Sequence, residues 1–343
     1  MSPVVTVLMS VRNGLPYLRE AVDSVLAQTL RDFEFIILDD ASTDGTADYL
    51  RSVSDPRVRV IPLAENIGLT AALNRGLGEA RGEFVARHDA DDFSHPHRLQ
   101  EQVAFLRANP ACAVVGSQAR LVDAGGRSLG VKNFPLSHRS ICFAHLFDNA
   151  FAHSAVTFRR ASVGRYDEAW AASQDYELWS RVSERYALAN LPQRLVTLRV
   201  LENSITSQHK RPELIRRVQA AHYQRLFARA ASAGDLDLIA LFRTRVSPER
   251  LGDFRALLAE LCASTYAVWR EVNGAPDFRR TLAMMHERIG YNLLTTSRGN
   301  GLAEIRRAVA VYPPALFRLP WLRIAALALF GDGVRAWVER LRK

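Results

Sequence analysis

The chain has 343 residues, 48% of them hydrophobic and 24% charged, enough for one large or two ordinary domains with a true core. Three cysteines, Cys112, Cys142 and Cys262, form no metal-type spacing and fit a reducing compartment. No stretch approaches the roughly 18 apolar residues of a membrane span. The start "MSPVVTVLMSVRNG" reads as a strand rather than a signal peptide, so we expect a cytoplasmic protein.

The net charge of +9 is unevenly distributed along the chain. Residues 1–209 hold 22 basic and 24 acidic side chains, whereas residues 210–343 hold 23 basic and 12 acidic ones. This asymmetry has two readings. The C-terminal part is drawn to an anionic surface, or it consists of solvated, arginine-rich helices.

The first half alternates strands with helices. In chain order, the pattern predicts strand "VVTVLMSV", helix "PYLREAVDSVLAQT", strand "FEFIILDD", helix "STDGTADYLRSV", strand "VRVIPL", helix "LTAALNRGLGEA" and strand "EFVARHD". The strands are continuous apolar runs, as expected where helices cover both sheet faces. The pattern therefore predicts a doubly wound, mostly parallel α/β sheet.

The alternation is less regular after Leu99. We predict helix "RLQEQVAFLRANP", strand "CAVVGSQARLVD", a helix and strand within "ICFAHLFDNAFAHSAVTFRR", helix "SQDYELWSRVSERY" and a closing strand in "LPQRLVTLRV". The polar segment Glu202–Glu213 resembles a linker, and the remainder is helical. We therefore expect a catalytic domain over residues 1–205 and a basic, mostly helical domain over residues 206–343.

Polar clusters follow three of the predicted strands, at Ser10–Asn13, Asp39–Asp40 and Asp89–Asp92. In a doubly wound sheet, ligands bind beyond the carboxyl ends of the strands, at the point where the strand order reverses. We therefore expect all three clusters at one edge of the sheet.

The segment "ARHDADDFSHPHRL" places Asp89, Asp91 and Asp92 within four positions, where like charges repel. A hard cation such as Mg²⁺ or Mn²⁺ would neutralise them and keep coordination sites for substrate phosphates. We expect the D-x-D pair on one side of an extended segment. The alternative is a solvated acidic loop. Phe93 and Ser94 exclude a calcium EF-hand loop, and the sequence contains no P-loop or G-x-G-x-x-G fingerprint.

Two long stretches resemble the family 2 glycosyltransferases, which are inverting enzymes of the GT-A fold that use nucleotide-sugar donors. They are "VTVLMSVRNGLPYLREAVDSVLAQTLRDFEFIILDDASTDGT" and "NIGLTAALNRGLGEARGEFVARHDADDFSHPHRLQEQVAFL". The resemblance continues through "AHSAVTFRR" and "SQDYELWSRV" and covers about residues 4–200. The C-terminal part lies outside it.

The resemblance implies a nucleotide-sugar site formed by Ser10, Val11, Asn13, Asp40, Asn66 and Asp89. Ser10 and the backbone after it would border the base, Asp40 would hydrogen-bond the base, and Asp89 would hold the ribose. Asp91 would bind a Mn²⁺ or Mg²⁺ ion that bridges the diphosphate. Asp92 would support the metal site or the helix that follows it.

The resemblance also implies that Asp175 is the general base of an inverting transfer. Its position at the start of a helix favours the ionised form, and a plain helix cap is the alternative reading. Gln174 stands where the family usually has Glu. His153, Gln174 and Trp179 are the expected acceptor or sugar-pocket residues, although His153 also fits an ordinary strand end.

Two further positions depart from the family pattern. A basic residue is common where Leu73 stands, and Arg75 is close to that position. A downstream "R-V-H" reads "RVL" here, so that Leu201 replaces the histidine. His209 is a candidate substitute, although a lone histidine in a polar linker is usually solvated.

The C-terminal "YPPALFRLPWLRIAALALFGDGVRAWVERLRK" is apolar, basic and contains tryptophan, which fits a helix lying on the inner face of the cell membrane. The alternative is a helix packed on the catalytic domain or on a second subunit of a homodimer. Nucleic acid is not an expected partner, because the basic half has no recognised binding motif and no clustered lysines.

The resemblance thus implies transfer of a sugar from a UDP-linked donor to a glycan or lipid-linked acceptor, with inversion. Two alternatives stay open. One is transfer to polyprenyl phosphate, and the other is a catalytically silent nucleotide-binding scaffold.

Overall fold

The computed structural model describes residues 2–201, 212–241, 248–268, 276–294 and 297–311. Internal contacts divide the chain into two compact units. The first comprises Met1–His145 and Asn149–Val218, and the second comprises Leu146–Asp148 and Gln219–Lys343. The predicted boundary near residue 205 stays a prediction, because residues 202–211 lie outside the described part of the chain.

The first unit is built on one sheet. Over the described residues it has nine strands: β1 (Val5–Val11), β2 (Phe33–Asp39), β3 (Val58–Pro62), β4 (Phe84–Arg87), β5 (Phe93–Ser94), β6 (Cys112–Val122), β7 (Ser128–Lys132), β8 (Thr157–Arg159) and β9 (Ala187–Arg199). Their order is β3-β2-β1-β4-β8-β6-β9-β5, with β7 paired to β6. Strands β1 to β4 are mutually parallel, whereas β8 runs antiparallel to β4 and β6, and β5 runs antiparallel to β9. The predicted mixed α/β fold with a mostly parallel sheet is confirmed.

Helices cover both faces of this sheet. They are α1 (Leu18–Leu26), α2 (Thr46–Ser52), α3 (Leu69–Glu79), α4 (Arg98–Ala108), α5 (His138–His145), α6 (Arg160–Val163) and α7 (Gln174–Val182). Alternate residues of β2 enter two different cores: Phe35 packs with α1 and α4, whereas Ile36 packs with α3 and α7. This period of two is why the strands read as unbroken apolar runs.

The strand order reverses between β1 and β4, which are neighbours in the sheet. Val11 at the end of β1 lies opposite Asp39 at the end of β2. Strand β4 ends earlier, with Arg87 opposite Leu8. The carboxyl ends of these three strands, at Val11, Asp39 and Arg87, therefore meet at one edge of the sheet. We call it the donor edge, because the sequence predicts nucleotide-sugar binding there. The predicted grouping of the polar clusters follows from this topology.

The second unit is mostly helical over its described residues. Helix α8 (Pro212–Phe227) begins in the first unit and continues into it, followed by α9 (Ala233–Leu241), α10 (Leu251–Val268), α11 (Pro276–Leu294) and α12 (Arg298–Val311). Glu304 is fully buried and accepts hydrogen bonds from His286, Arg255 and Arg307, which ties α10, α11 and α12 together. Within the described residues, no helix is long and apolar enough to cross a bilayer. His209 and the C-terminal segment predicted to contact a membrane lie outside those residues.

Candidate active site

The loops after β1 and β2 are joined by side-chain hydrogen bonds. The Asn13 backbone N–H donates to Ser42 Oγ at 2.9 Å, and Asn13 Oδ1 accepts the Thr43 N–H at 2.8 Å. Ser10 is half-buried and Val11 is buried at the same strand end. The predicted nucleotide-binding residues of β1 thus lie on a cross-linked, rigid part of the donor edge.

Asp40 connects the donor edge to the start of α3. Its carboxylate is buried and accepts the N–H groups of Ile67 at 2.8 Å and Gly68 at 3.0 Å. Asn66 Oδ1 accepts the same Gly68 N–H at 3.2 Å, and Gly68 has a φ of +83° that favours glycine. A carboxylate has about four lone-pair positions, so Asp40 keeps acceptor capacity after these two bonds.

The segment Asp89–Asp92 forms a turn, in which the Asp92 N–H approaches the Asp89 carbonyl oxygen at 3.5 Å. The expectation of an extended segment is therefore wrong. The turn is fixed from outside, because Ser154 Oγ accepts the Asp89 N–H at 2.9 Å and Asp92 Oδ1 accepts the Arg199 N–H at 2.9 Å. Asp92 thereby joins β9 and not the helix after the turn.

Two buried arginines lie beneath the acidic turn. Arg87 is 1% exposed and forms an ion pair with Asp89. Burial is the largest influence on Asp89 and opposes its ionisation, but the charge of Arg87, its hydrogen bond and the neighbouring histidines together outweigh burial and lower the pKa of this carboxyl. Arg98 is equally buried and donates to the carbonyl oxygens of Arg87 and Val156 at 2.7 and 3.1 Å. Neither arginine was predicted from the sequence. The one signal for a buried arginine is Arg87 at the end of the apolar stretch "EFVAR".

Asp91 differs from its two neighbours. In the described part of the chain, no cationic side chain pairs with its carboxylate, and the nearby Arg199 Nε donates to its backbone oxygen at 3.2 Å instead. Burial and the adjacent charge of Asp89 raise the pKa of Asp91 to about 6. Asp89 is paired with Arg87, and Asp92 accepts the Arg199 N–H, whereas the Asp91 carboxylate has no ion-pair partner among the described residues. Such a carboxylate suits a hard divalent cation, which also takes oxygen ligands from phosphates. The described residues contain no ready-made cluster of three metal-ligating side chains.

Arg199 is a third residue that was not predicted from the sequence, although it begins the "RVL" motif. Its side chain is 8% exposed and donates to Glu20 Oε2 at 2.6 Å. Its guanidinium lies 4.3 Å from the ring centroid of Tyr17. Arg199 therefore ties the acidic turn to α1 and to the loop before it.

Asp175 lies in the first turn of α7, which begins one residue earlier at Gln174. One carboxylate oxygen accepts the Tyr176 N–H at 2.8 Å, and the other accepts Asn149 Nδ2 at 2.7 Å. The helix has Ser173 at its N-cap position, so Asp175 is not the N-cap residue. Its carboxylate is only partly buried and is held in a fixed orientation.

His153 connects the acidic turn with Asp175. Burial and the charge of Arg87 lower the pKa of His153 to about 4, while Asp175 and Asp89 both raise it. The imidazole is therefore neutral at pH 7, and its Nε2 lies 2.9 Å from the hydroxyl oxygen of Tyr166. The neighbouring Ser154 contacts Asp89, and Asn149 contacts Asp175, so the fold brings these two acidic residues to the same region.

Gln174 and Trp179 lie deeper than the sequence analysis anticipated. Gln174 is 5% exposed, and its Oε1 has no hydrogen-bond partner within the part of the chain that the structure describes. Trp179 is fully buried among Phe151, Phe158 and His153, with ring centroids 5.8 to 6.4 Å away. Trp179 packs against the His153 ring and has no surface exposed to a sugar.

Comparison with known proteins gives consistent matches. The family model described as glycosyl transferase family 2 matches residues 6–162. A protein of Haemophilus influenzae described as an uncharacterized glycosyltransferase is 32% identical over 241 residues, covering 63% of this chain and 72% of the relative. The amylovoran biosynthesis glycosyltransferase AmsE of Erwinia amylovora is 31% identical over 192 residues, covering 53% of this chain and 70% of AmsE.

Among solved structures, residues 1–349 of S. aureus TarS in complex with UDP-GlcNAc superimpose with a TM-score of 0.54. The match covers 91% of this chain and 92% of the TarS chain at 16% sequence identity. At this identity the likeness supports the fold, in agreement with the mixed sheet and the helical C-terminal part.

Proposed function

The chain belongs to the family 2 glycosyltransferases and is an enzyme of the GT-A fold, and on that premise we propose an inverting transfer from a UDP-linked sugar. The observation that carries this proposal is that one short segment contacts both acidic residues: Asn149 Nδ2 donates to Asp175 Oδ2 at 2.7 Å, and Ser154 Oγ accepts the Asp89 N–H at 2.9 Å. Asp89 follows a donor-edge strand, and Asp175 lies in the first turn of α7. This proximity supports a donor held near Asp89 and a base supplied by Asp175.

In the proposed reaction, the acceptor hydroxyl oxygen attacks C1 of the sugar as Asp175 removes its proton. The bond from C1 to the phosphate oxygen breaks, and the nucleoside diphosphate leaves from the opposite face. Hydrogen bonds from Asn149 and from the Tyr176 N–H orient Asp175 and leave lone pairs on each oxygen for the proton. The partial exposure of Asp175 gives an acceptor access to it.

The donor is proposed to lie along the donor edge, with Asp40 at the base, Asp89 at the ribose, and Ser10, Val11, Asn13 and Asn66 around the nucleotide. Asp91 would hold a Mn²⁺ or Mg²⁺ ion. The ion would neutralise the negative charge on the departing diphosphate. Among the described residues, no cationic side chain forms an ion pair with the Asp91 carboxylate, which supports this assignment.

For the acceptor, we propose a glycan or a lipid-linked glycan of a cell-envelope polysaccharide. The name of AmsE, a glycosyltransferase of amylovoran biosynthesis, supports this class. The UDP-GlcNAc complex of TarS supports a UDP-linked sugar as the donor. Polyprenyl phosphate is a second acceptor to test directly.

The experiment is a thermal-shift screen of nucleotide-sugars with and without Mn²⁺, followed by donor turnover with the sugar that stabilises the protein. We expect one UDP-sugar to raise the melting temperature in a Mn²⁺-dependent way, and the enzyme to release UDP from it. Proton NMR of a transferred product should show the inverted anomeric configuration. Binding without any turnover, with glycan and polyprenyl-phosphate acceptors present, would instead identify a nucleotide-binding scaffold.

A further inference from the structure

A surface cavity lined by three arginines lies away from the donor edge. It measures about 360 Å³ and is lined by Asn74, Arg75, Leu77, Gly78, Arg160, Gly164 and Arg165. Its walls are the second half of α3 and the segment from the start of α6 to residue 165. We call this cavity the arginine cleft, and we propose that it binds the phosphate or diphosphate group of a ligand other than the sugar donor.

The arginine cleft carries an excess of positive charge. Arg75 comes from α3, and Arg160 and Arg165 come from the segment around α6, yet all three line one cavity and are exposed. Within the described residues, no carboxylate forms an ion pair with any of the three. The C-terminal end of α3 offsets only about half an elementary charge. The cleft thus holds an excess of roughly two positive charges.

The acidic groups nearest in sequence have other partners. Glu79 pairs with Arg59, and Glu168 Oε1 accepts Asn74 Nδ2 at 3.0 Å. Asp167 accepts the Ala169 N–H and the Trp170 indole N–H, each at 3.0 Å. These bonds hold each carboxylate in place away from an ion pair with the arginines, so an external anion is the better counter-charge.

Two glycines keep the arginine cleft open. A Cβ atom placed on Gly78 or on Gly164 would meet nothing within 4 Å, so these two glycines border open space. Gly164 also has a φ of +72°, a conformation that favours glycine. Gly78 lies within α3, where glycine costs about 1 kcal/mol relative to alanine. A glycine tolerated there keeps the wall of the cleft bare and wide enough for a phosphate group.

The cleft walls are also preorganised. Asn74 exchanges two hydrogen bonds of 2.9 Å with the backbone of Tyr166, which fixes the segment after Arg165 against α3. Arg160 Nε donates to the Gly82 carbonyl oxygen at 2.8 Å, which anchors its stem and leaves its terminal nitrogens available. Two or more such guanidinium groups match the oxygen geometry of a phosphate.

The position separates this cleft from the donor site. Helix α3 starts at the donor edge, and Arg75 to Gly78 lie 6 to 9 residues further, about 9–14 Å along the helix. Arg160 follows Arg159, which pairs with Phe84 at the first residue of β4. The cleft therefore opens near the amino end of that strand, opposite to the end that carries the acidic turn.

The test is calorimetric titration of the full chain with inorganic pyrophosphate in EDTA, which removes the divalent ion that a donor site needs. We expect one site per chain that UDP does not displace. The double variant Arg75→Gln with Arg165→Gln should weaken binding about tenfold or more. Gly78→Glu, which places a carboxylate on the wall and improves helix propensity, should do the same.

The matched control is Arg51→Gln with Arg127→Gln. It also removes two arginine charges, but from surface ion pairs outside the cleft. It should change the affinity by less than about threefold. The proposal is overturned if pyrophosphate does not bind at low millimolar concentration, if UDP displaces it, or if both double variants lose affinity equally. Sedimentation with vesicles containing phosphatidic acid separates the two sources of the phosphate. Loss of vesicle binding in the cleft variants assigns a lipid headgroup, and unchanged vesicle binding assigns a soluble ligand.

Discussion

Replacing Asp175 with Asn tests the proposed base most directly. The amide keeps the size of the side chain and can still accept the Tyr176 N–H, but it cannot take a proton from an acceptor hydroxyl. General base catalysis contributes on the order of 10²–10⁴ in rate, so turnover should fall by that factor, or about 2.7–5.4 kcal/mol at the transition state.

The effect of this change on stability should be far smaller. The new NH₂ group faces Asn149 Nδ2, a second donor, so one hydrogen bond of 2.7 Å is lost. Such a loss costs about 1 kcal/mol, or about 2–4 °C in melting temperature for a unit of this size. Turnover and donor affinity should therefore respond differently, with turnover reduced by orders of magnitude and donor affinity in Mn²⁺ nearly unchanged.

The assay measures UDP release under saturating donor, donor affinity by calorimetry and melting temperature, all on the same preparations. Glu177→Gln is the matched control, because it makes the same chemical change in the same helical turn and weakens only the pair with Arg181. It should retain turnover within about threefold. The assignment of the base fails if Asp175→Asn turns over like the wild type. It fails equally if the variant loses donor binding together with its fold.

Three further outcomes are expected. Asp91→Ala should abolish the Mn²⁺-dependent part of donor binding in the thermal-shift assay while the protein stays folded, and near-normal activity would refute the metal assignment. Glu34→Gln should cost about 2–3 kcal/mol in urea unfolding at pH 7, because buried Glu34 accepts hydrogen bonds from Thr6 and Arg81. Burial opposes ionisation of Glu34, but the bonds from Arg81 and Thr6 lower its pKa below 4.5. The stabilisation by ionised Glu34 is therefore complete above pH 4.5 and fades as the pH falls through the pKa of the folded state. An equal cost of the substitution at pH 3 would contradict this pH dependence. A chain ending near residue 310 should keep donor binding but lose affinity for anionic vesicles, and equal vesicle binding by the two forms would exclude the membrane role.

The local sequence was sufficient for the order of elements from β1 to β4 and for the grouping of polar residues at their carboxyl ends. Period-two strands with both faces apolar predict a covered parallel sheet, and β1 to β4 have that arrangement. Because parallel strands place their carboxyl ends at one edge, the positions of Asp40 and Asp89 followed from the pattern alone.

The parts that the sequence did not predict depend on partners far away along the chain. The acidic turn is held by Ser154, 65 residues after Asp89, and by Arg199, 107 residues after Asp92. Such contacts leave no period in the sequence, so an extended segment was the natural but incorrect expectation. The short antiparallel strand β5 also exists only because β9 lies beside it.

The sequence by itself determined the family, the mostly parallel α/β core and the residue types available for chemistry, because these depend on local patterns of polarity and on spaced motifs. The tertiary structure alone decided which charges are compensated. It paired Asp89 with Arg87, left the Asp91 carboxylate without a cation among the described residues, and enclosed Trp179 in the core. The physical reason is that burial and ion pairing depend on distances through space, which the order of residues along the chain does not specify.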